Sequence, residues 1–200
     1  MSPSMRFPML ALRVVCLVLL GGGYACAVQA GEFDSQMRAF YAASVTSWSD
    51  APQILNAVAA QNARTADMTQ DDIDRLDRQW VAEIGAVSEP LIESVTRNPV
   101  SHFLREQLMA LEGAVTEIIV MDARGLNVAT SSVPSDYWQG DEAKYQKTFG
   151  VGPDGMHFGE VEFDESSMKY QAQISFTLVD PASGRPIGAM TVAVDAEEFL

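Results

Sequence analysis

The spacing of apolar residues divides the chain into a helical first part and a strand-rich second part. Over residues 33–48, apolar side chains recur every three or four positions, which predicts one face of a long amphipathic helix. The same spacing predicts further helices over residues 52–62, 69–87 and 99–112. The helix predicted over residues 69–87 begins with Thr69 and has an acidic residue three positions later, which is typical of a capping box.

Strand periodicity replaces helical spacing from residue 114 onward. Turn signals at residues 122–125, 154–155 and 181–184 separate runs that are rich in β-branched residues. The run over residues 168–179 alternates apolar and polar side chains, as expected of a strand with one buried face. The predicted strands are residues 114–121, 126–131, 157–163, 168–179 and 187–194.

This change of periodicity predicts how the chain is organised. Helices followed by five antiparallel strands define the α+β class. Residues 31–113 are predicted to form helices that pack on a sheet built by residues 114–200. Residues 31–200 are therefore predicted to form one domain.

The first 30 residues have the layout of a secretory signal peptide. Arg6 and Arg13 supply positive charge, an apolar run follows, and small residues lead up to Ala30. Cleavage is predicted after Ala30 or Ala27. A retained membrane anchor and lipidation at Cys26 are the alternatives, but the apolar run is short for a span of about 20 residues. The sequence predicts export to the periplasm or the medium.

Removal of this leader changes both the cysteine count and the charge. Both cysteines, Cys16 and Cys26, lie within it, so the exported chain has no thiol for a disulfide or a zinc–thiolate site. Two of the 13 basic residues leave with it while all 27 acidic residues stay, which gives a formal charge of −16. So acidic a surface disfavours nucleic acids and anionic lipids as partners.

Motifs of catalysis are missing from the sequence. There is no nucleophile elbow, zinc-protease motif, phosphate loop or dinucleotide fingerprint. His102 and His157 have no evident nucleophile partner, and the acidic run at residues 71–77 lacks the glycine and terminal glutamate of a calcium loop. The chain is therefore predicted to be neither an enzyme nor a carrier of a cofactor or metal.

The long connection between the second and third predicted strands is the best candidate for a functional element. It spans about two dozen residues after Ser131 and interleaves aromatic with charged side chains. Connections of that length in a compact domain are commonly lids or pocket walls. The alternative is a surface Ω-loop that is packed by its own aromatics.

Three stretches carry a resemblance to a known family. They are the turn at residues 122–125, the run SDYWQGDE at residues 135–142, and Asp180 with the glycines at 184 and 188. With them, residues 122–200 resemble the extracytoplasmic Cache sensor domains, PAS-like modules also called PDC domains. The resemblance implies a PAS/Cache-like sheet and a small ligand, such as an organic acid, an amino acid or an amine, held between the sheet and the loop. It also implies a signalling partner in the membrane.

The predicted ligand-binding residues come from this loop and from the fourth predicted strand. If residues 141–149 form a short helix, Asp141, Tyr145 and Phe149 lie on one stripe that faces the sheet, and Trp138 lies just before it. This stripe would make an apolar wall with a few polar groups, which is the usual composition of a small-molecule pocket. The predicted site consists of Tyr137, Trp138, Asp141, Tyr145, Tyr170 and Gln173. The alternative is that Asp141 caps its helix and that the aromatics are core residues.

Two functions are compatible with the sequence. The first is a stand-alone exported sensor module that binds a small molecule and passes its occupancy to a separate membrane partner. The second is an accessory protein without a ligand, which acts through protein–protein contacts on its surface. The aromatic residues of the first helix also predict a weak parallel homodimer.

Overall fold

The computed structural model describes residues 33–164 and 168–199. The predicted signal peptide lies outside them. Within this part of the chain, no helix has both the length and the apolar character that a membrane crossing requires. The helices are α1 (residues 33–40, continued by a π-helical segment, Tyr41–Val45), α2 (Pro52–Thr65), α3 (Gln70–Glu83), α4 (Pro90–Thr96), α5 (Pro99–Ala110) and α6 (Ala143–Gln146), with a 3₁₀ turn at Ala196–Phe199.

An antiparallel sheet follows the first five helices, which confirms the predicted α+β class. Its strands are β1 (Val115–Asp122), β2 (Asn127–Thr130), β3 (Met156–Phe158), β4 (Glu162–Asp164), β5 (Lys169–Val179) and β6 (Pro186–Asp195). Five strands lie in the order β2-β1-β6-β5-β3, and β4 is an extra strand on β5. The predicted third strand is thus two short strands. The chain leaves the ladder after Gly159, whose amide still donates to Gln173 O at 2.8 Å.

The main core lies between the helices and one face of this sheet. Alternate residues of β1, β5 and β6 point to that face, as strand geometry requires. They pack against buried side chains of α1, α2 and α5, notably Met37, Ile54 and Leu104. We call this face the helix side. The opposite face, which carries Ile119, Met121 and Ala189, we call the loop side, because residues 131–155 cover it.

The edge strand β2 is protected by the start of α5. Asn98 Nδ2 donates to Val128 O at 3.0 Å, and the amide of Thr130 donates to Ser101 Oγ at 3.0 Å. Side chains therefore satisfy backbone groups that an edge strand would otherwise expose to another chain. The same contacts fix the position of β2, and with it the start of the segment that follows.

The third helix ends earlier than its apolar spacing predicted. Helix α3 stops at Glu83, and Ile84 and Val87 beyond it are exposed rather than buried. The chain turns at Gly85, whose φ of +73° suits glycine, and a separate helix, α4, begins at Pro90. The Glu83 carboxylate accepts the amides of Leu91 and Ile92 at 2.7 and 3.1 Å, so it caps α4. At the other end of α3, the capping box at Thr69 is present as predicted.

The aromatic residues of α1 are used within the chain. Phe33 and Phe40 make edge contacts with Phe199, and Tyr41 lies 5.0 Å from Phe176, centroid to centroid. Trp48 makes an edge contact with Phe103. These contacts account for the aromatic area from which a homodimer was inferred. The dimer stays a prediction.

An ion pair between the half-exposed Lys169 at the start of β5 and a buried carboxylate leads to a prediction on pH dependence. Lys169 Nζ lies 2.5 Å from Asp195 Oδ2, and Asp195 is buried. The hydrogen bond from Lys169 lowers the pKa of Asp195 below its ordinary 3.8, and the same bond raises the pKa of Lys169 above 10.5. The stabilisation is therefore complete between those ordinary values. It is lost as the pH falls through the lowered pKa of Asp195 or rises through the raised pKa of Lys169.

We expect Lys169→Met to lower the free energy of unfolding across the middle of the pH range, and this loss to shrink as the pH falls below 3.8 through the lowered pKa of Asp195. Urea unfolding followed at several pH values measures the difference. Lys147→Met removes an exposed lysine and is the matched control. Equal effects of the two substitutions at every pH would contradict the assignment.

Candidate functional site

The carboxylate of Asp122 holds the start of the site together. Asp122 is fully buried at the end of β1. Its Oδ1 accepts the amides of Arg124 and Leu126 at 2.8 and 3.0 Å, which fixes the β1–β2 turn. Its Oδ2 accepts Thr65 Oγ1 at 2.9 Å and Gln61 Nε2 at 3.2 Å, both from α2. Since four donors occupy this carboxylate, it is a structural group and not a free ligand contact.

Helix α3 fixes the first half of the segment that covers the loop side. Trp80 is fully buried, and its Nε1 donates to Pro134 O at 2.8 Å. The carboxylate oxygen Oδ1 of Asp77 accepts the amides of Tyr137 and Trp138, each at 2.9 Å. Residues 134–138 are therefore bound to a rigid helix. This stretch is not a freely moving lid.

Tyr137 and Trp138 belong to a small core between this segment and helices α3 and α4. The Tyr137 ring stacks on Trp80, with centroids 5.6 Å apart. Trp138 Nε1 donates to Arg124 O at 2.8 Å, and its indole lies so close over Gly140 that a Cβ there would overlap it. Burial raises the pKa of Tyr137 to about 12, so its hydroxyl stays protonated at neutral pH.

Tyr145 and Phe149 cover the loop side itself. Their rings stack with centroids 5.3 Å apart, and they pack on Ile119, Met121 and Ala189. The Tyr145 hydroxyl donates to Ala123 O at 2.7 Å, and burial raises its pKa above the ordinary value. Tyr145 is thus an apolar wall with a fixed polar tip.

Three buried polar atoms beside this wall have no hydrogen-bond partner within the described residues. They are Asn127 Oδ1, Thr130 Oγ1 and Gln139 Oε1. Asn127 and Thr130 pair with Met121 and Ile119 across the β1–β2 ladder, so they share the loop side. All three residues are at most 1% exposed. Such groups ordinarily have a partner in a folded protein, whether protein, water or ligand.

The orientation of the two carboxamides is fixed by a shared acceptor. Asn127 Nδ2 and Gln139 Nε2 both donate to Asp136 O, at 2.8 and 2.9 Å. The amide nitrogens must face that carbonyl, so the two oxygens point elsewhere. The two amide nitrogens thus meet at one carbonyl, and the two amide oxygens stay without a partner within the described residues.

The other predicted site residues lie apart from this cluster. Asp141 is exposed, and its side chain does not cap α6. Tyr170 follows the helix-side alternation of β5, is 52% exposed and packs edge-on against Phe163. Gln173 is on the loop side but pairs with Ala193, four residues along β6 from the Ala189 that Phe149 and Tyr145 cover. The structure therefore does not bring the six predicted residues into one cluster.

Asn127, Thr130 and Gln139 were missed by the sequence interpretation. Each is an uncharged residue that belongs to no catalytic or metal-binding motif, and threonine is common in strands. Two signals were available. The amide of Asn127 interrupts an apolar strand just after the Asp122 turn, and Gln139 lies within the run at residues 135–142 that carries the resemblance. Lys144, also missed, is almost buried and pairs with Glu142 Oε2 at 3.0 Å.

The described residues contain no cluster of three or more histidine, aspartate or glutamate side chains that could hold a metal. His157 lies on β3 and pairs in register with Ser175 of β5, and its pKa is lowered by burial and by the nearby Lys147.

Comparison with known proteins finds similarity in structure only. No family model matches the chain, and neither does any curated protein by sequence. Among solved structures, the sensor domain of the histidine kinase DctB from V. cholerae matches with a TM-score of 0.45 and 14% identity over 88% of this chain. The sensory domain of the Campylobacter jejuni chemoreceptor Tlp3, with isoleucine bound, matches with a TM-score of 0.40 and 12% identity over 87% of this chain.

A third match is the ligand-binding domain of the Pseudomonas aeruginosa amino acid chemoreceptor PctC in complex with GABA. It has a TM-score of 0.38 and 12% identity over 65% of this chain. The chain spans 57%, 63% and 58% of the lengths of these three structures. It is structurally similar, at low sequence identity, to Cache/PDC-type sensor domains of histidine kinases and chemoreceptors.

Proposed function

We propose that residues 31–200 form an exported sensor domain that binds a small molecule between residues 131–149 and the loop side of the sheet. The observation that carries the proposal is the group of three buried, unpartnered polar atoms on Asn127, Thr130 and Gln139. Next to them, Tyr145 and Met121 supply an apolar wall. An apolar wall with a few fixed polar groups is the usual composition of a small-molecule site.

The unpartnered atoms also limit the chemistry of the ligand. Two carboxamide oxygens can only accept hydrogen bonds, so the ligand must donate. Of the three ligand classes that the sequence suggests, amines and amino acids carry N–H donors, whereas an ionised organic acid need not. We therefore propose an amine or an amino acid, with its N–H groups on Asn127 and Gln139. Tyr145 walls the site, while Tyr137 and Trp138 hold the segment in place.

The remaining parts of the proposal concern the export of the chain and the protein to which it signals. Residues 1–30 direct export to the periplasm, and the chain is not an enzyme. Ligand occupancy is passed to a separate membrane signalling protein through a change in residues 131–149. Asp141, Tyr170 and Gln173, which lie apart from the three acceptors, have secondary roles at most in this proposal.

Thr130→Val gives a test in which ligand-free stability and ligand response change in opposite directions. Valine has the same shape and removes a buried hydroxyl that has no partner within the described residues. We expect it to raise the free energy of unfolding of the ligand-free protein by about 1 kcal/mol. The same substitution should lower the affinity for the ligand. A ligand at 100 times its Kd stabilises the wild type by about 2.7 kcal/mol, a shift of roughly 5–10 °C in Tm.

The measurement is a thermal-shift screen of amines, amino acids and organic acids on the exported protein. Gln139→Met should abolish the response to the active compound, while Gln146→Met, an exposed glutamine of the same segment, should keep it. A response that survives both Thr130→Val and Gln139→Met would place the ligand elsewhere.

One set of observations favours the second function, an accessory protein that acts through its surface. Val161, Phe163, Met168 and Tyr170 lie on and around the β4–β5 hairpin, and each is more than 40% exposed. Exposed apolar patches mark interaction sites. A screen without any response, together with Asn127 and Gln139 bonded only to ordered water in a crystal structure, would favour this function over the sensor.

A further inference from the structure

A cleft of about 480 Å³ lies between α5 and the end of the sheet where β1 starts and β2 ends. Its volume is within the usual range for a small-molecule site. It lies apart from the acceptor cluster of Asn127, Thr130 and Gln139 and shares no residue with it. Its lining residues are His102, Arg105, Glu106, Leu108, Met109, Thr116, Ser131 and Ser132.

The guanidinium of Arg105 is held in a fixed position at this cleft. Its Nη1 donates to Thr96 O at 2.8 Å, and its Nη2 lies 2.9 Å from His102 Nδ1. A guanidinium carries five N–H donors, and these two contacts leave the others without an acceptor in the described part of the chain. No carboxylate of residues 33–164 or 168–199 lies within ion-pair distance of Arg105. In a chain with 27 acidic residues, a fixed but unpaired arginine is a candidate anion contact.

Two neutral donors on the same lining are also available. Because a guanidinium can only donate, His102 Nδ1 must accept, and the histidine proton is then on Nε2. Ser131 Oγ accepts the amide of Ile118 at 2.8 Å, so its own hydrogen is not used in that bond. Arg105, His102 and Ser131 thus offer N–H and O–H donors to one cleft.

The rest of the lining sets the shape and the limits of a ligand. Leu108 and the 69% exposed Met109 supply an apolar wall. Glu106, exposed and next to Arg105 in the chain, places a carboxylate on the same cleft and opposes a second negative charge. Ser132 and Thr116 are occupied, since they donate to Glu117 Oε1 and Ala193 O.

We propose that this cleft is a binding site for a small monocarboxylate with an apolar body, with the carboxylate on Arg105 and the body on Met109 and Leu108. The planar guanidinium matches a carboxylate with two parallel hydrogen bonds. This site goes beyond the proposed sensor function and does not depend on it. Benzoate is a suitable probe, and benzamide is its neutral counterpart of equal shape.

Ligand-observed NMR titration of the full exported chain with benzoate tests the site. We expect saturable binding with a Kd of about 1 mM or below, and no saturable binding of benzamide. Arg105→Gln should weaken benzoate at least about tenfold, since it removes the charge-assisted bonds. Arg78→Gln, which removes an exposed arginine of α3, changes the net charge equally and should leave the Kd unchanged.

Two variants at exposed positions keep the test decisive if Arg105→Gln disturbs the fold. Glu106→Gln removes the opposing carboxylate and should tighten benzoate binding about two- to fivefold. Met109→Asp places a charge on the apolar wall and should abolish binding. The proposal is overturned if benzamide binds as well as benzoate, if benzoate does not bind, or if Glu106→Gln and Met109→Asp both leave the Kd unchanged. The Thr130→Val variant should bind benzoate normally, which separates this site from the sensor site.

Discussion

Replacing Asp122 with alanine is expected to lower the free energy of unfolding by about 3–5 kcal/mol. The substitution leaves two amides of the β1–β2 turn, those of Arg124 and Leu126, without an acceptor, and Thr65 Oγ1 of α2 keeps only the carbonyl of Gln61. It also removes two of the hydrogen bonds that join α2 to the sheet, those of Gln61 and Thr65, beside the residues 123–125 that support Trp138 and Tyr145. For a chain of this size, the expected fall in Tm is roughly 6–20 °C.

Urea unfolding followed by circular dichroism measures the effect of Asp122→Ala. Asp67→Ala, an exposed aspartate just after α2, is the control and should change the free energy of unfolding by less than about 0.5 kcal/mol. A loss of less than about 1 kcal/mol for Asp122→Ala would contradict the assignment of this carboxylate as the centre of the turn.

Trp80→Ala is expected to have an effect of similar size, about 3–5 kcal/mol. Trp80 is fully buried, stacks on Tyr137 and donates to Pro134 O. Its removal leaves a cavity and an unpaired carbonyl under the segment that covers the loop side. We also expect Trp80→Ala to accelerate the hydrogen exchange of the amides of residues 137 and 138 more than that of the β5 amides.

A graded series distinguishes packing from hydrogen bonding at this position. Trp80→Phe keeps an aromatic ring against Tyr137 but loses the donor to Pro134 O, so we expect a loss of about 1–2 kcal/mol. Val81→Ala changes the next residue of α3, which is 53% exposed, and should have almost no effect. If Trp80→Ala destabilised the fold without any change in exchange at residues 137 and 138, Trp80 would not be what holds the segment.

The fold class could be predicted from the sequence because it depends on local periodicity. In β5, Ala172, Ile174 and Phe176 alternate with polar residues, and the structure buries them on the helix side as expected. Helix ends were less accurate. The apolar spacing continues to Val87, but the left-handed turn at Gly85 ends α3 earlier, and Glu83 at the end of α3 caps the separate helix α4. Helix α4 has only seven residues, too few for a clear periodic signal.

The candidate site could not be predicted in the same way, because it depends on contacts between distant parts of the chain. Tyr137 and Trp138 have the composition of a pocket wall, but Asp77 and Trp80 draw them into a small core with α3. Conversely, Asn127, Thr130 and Gln139 are inconspicuous residues. Their importance follows from burial without a partner, which appears only when β2 and residues 136–139 are brought together.

Side-chain amide NMR of Asn127 and Gln139 tests the central claim most directly. A protein of residues 31–200, labelled with ¹⁵N, is titrated with the amine or amino acid that gives the largest thermal shift. We predict that the NH₂ resonances of Asn127 and Gln139 move together and saturate with one Kd, while those of Gln146 stay in place. Saturable shifts elsewhere, with both of these amides unchanged, would contradict a ligand between residues 131–149 and the sheet.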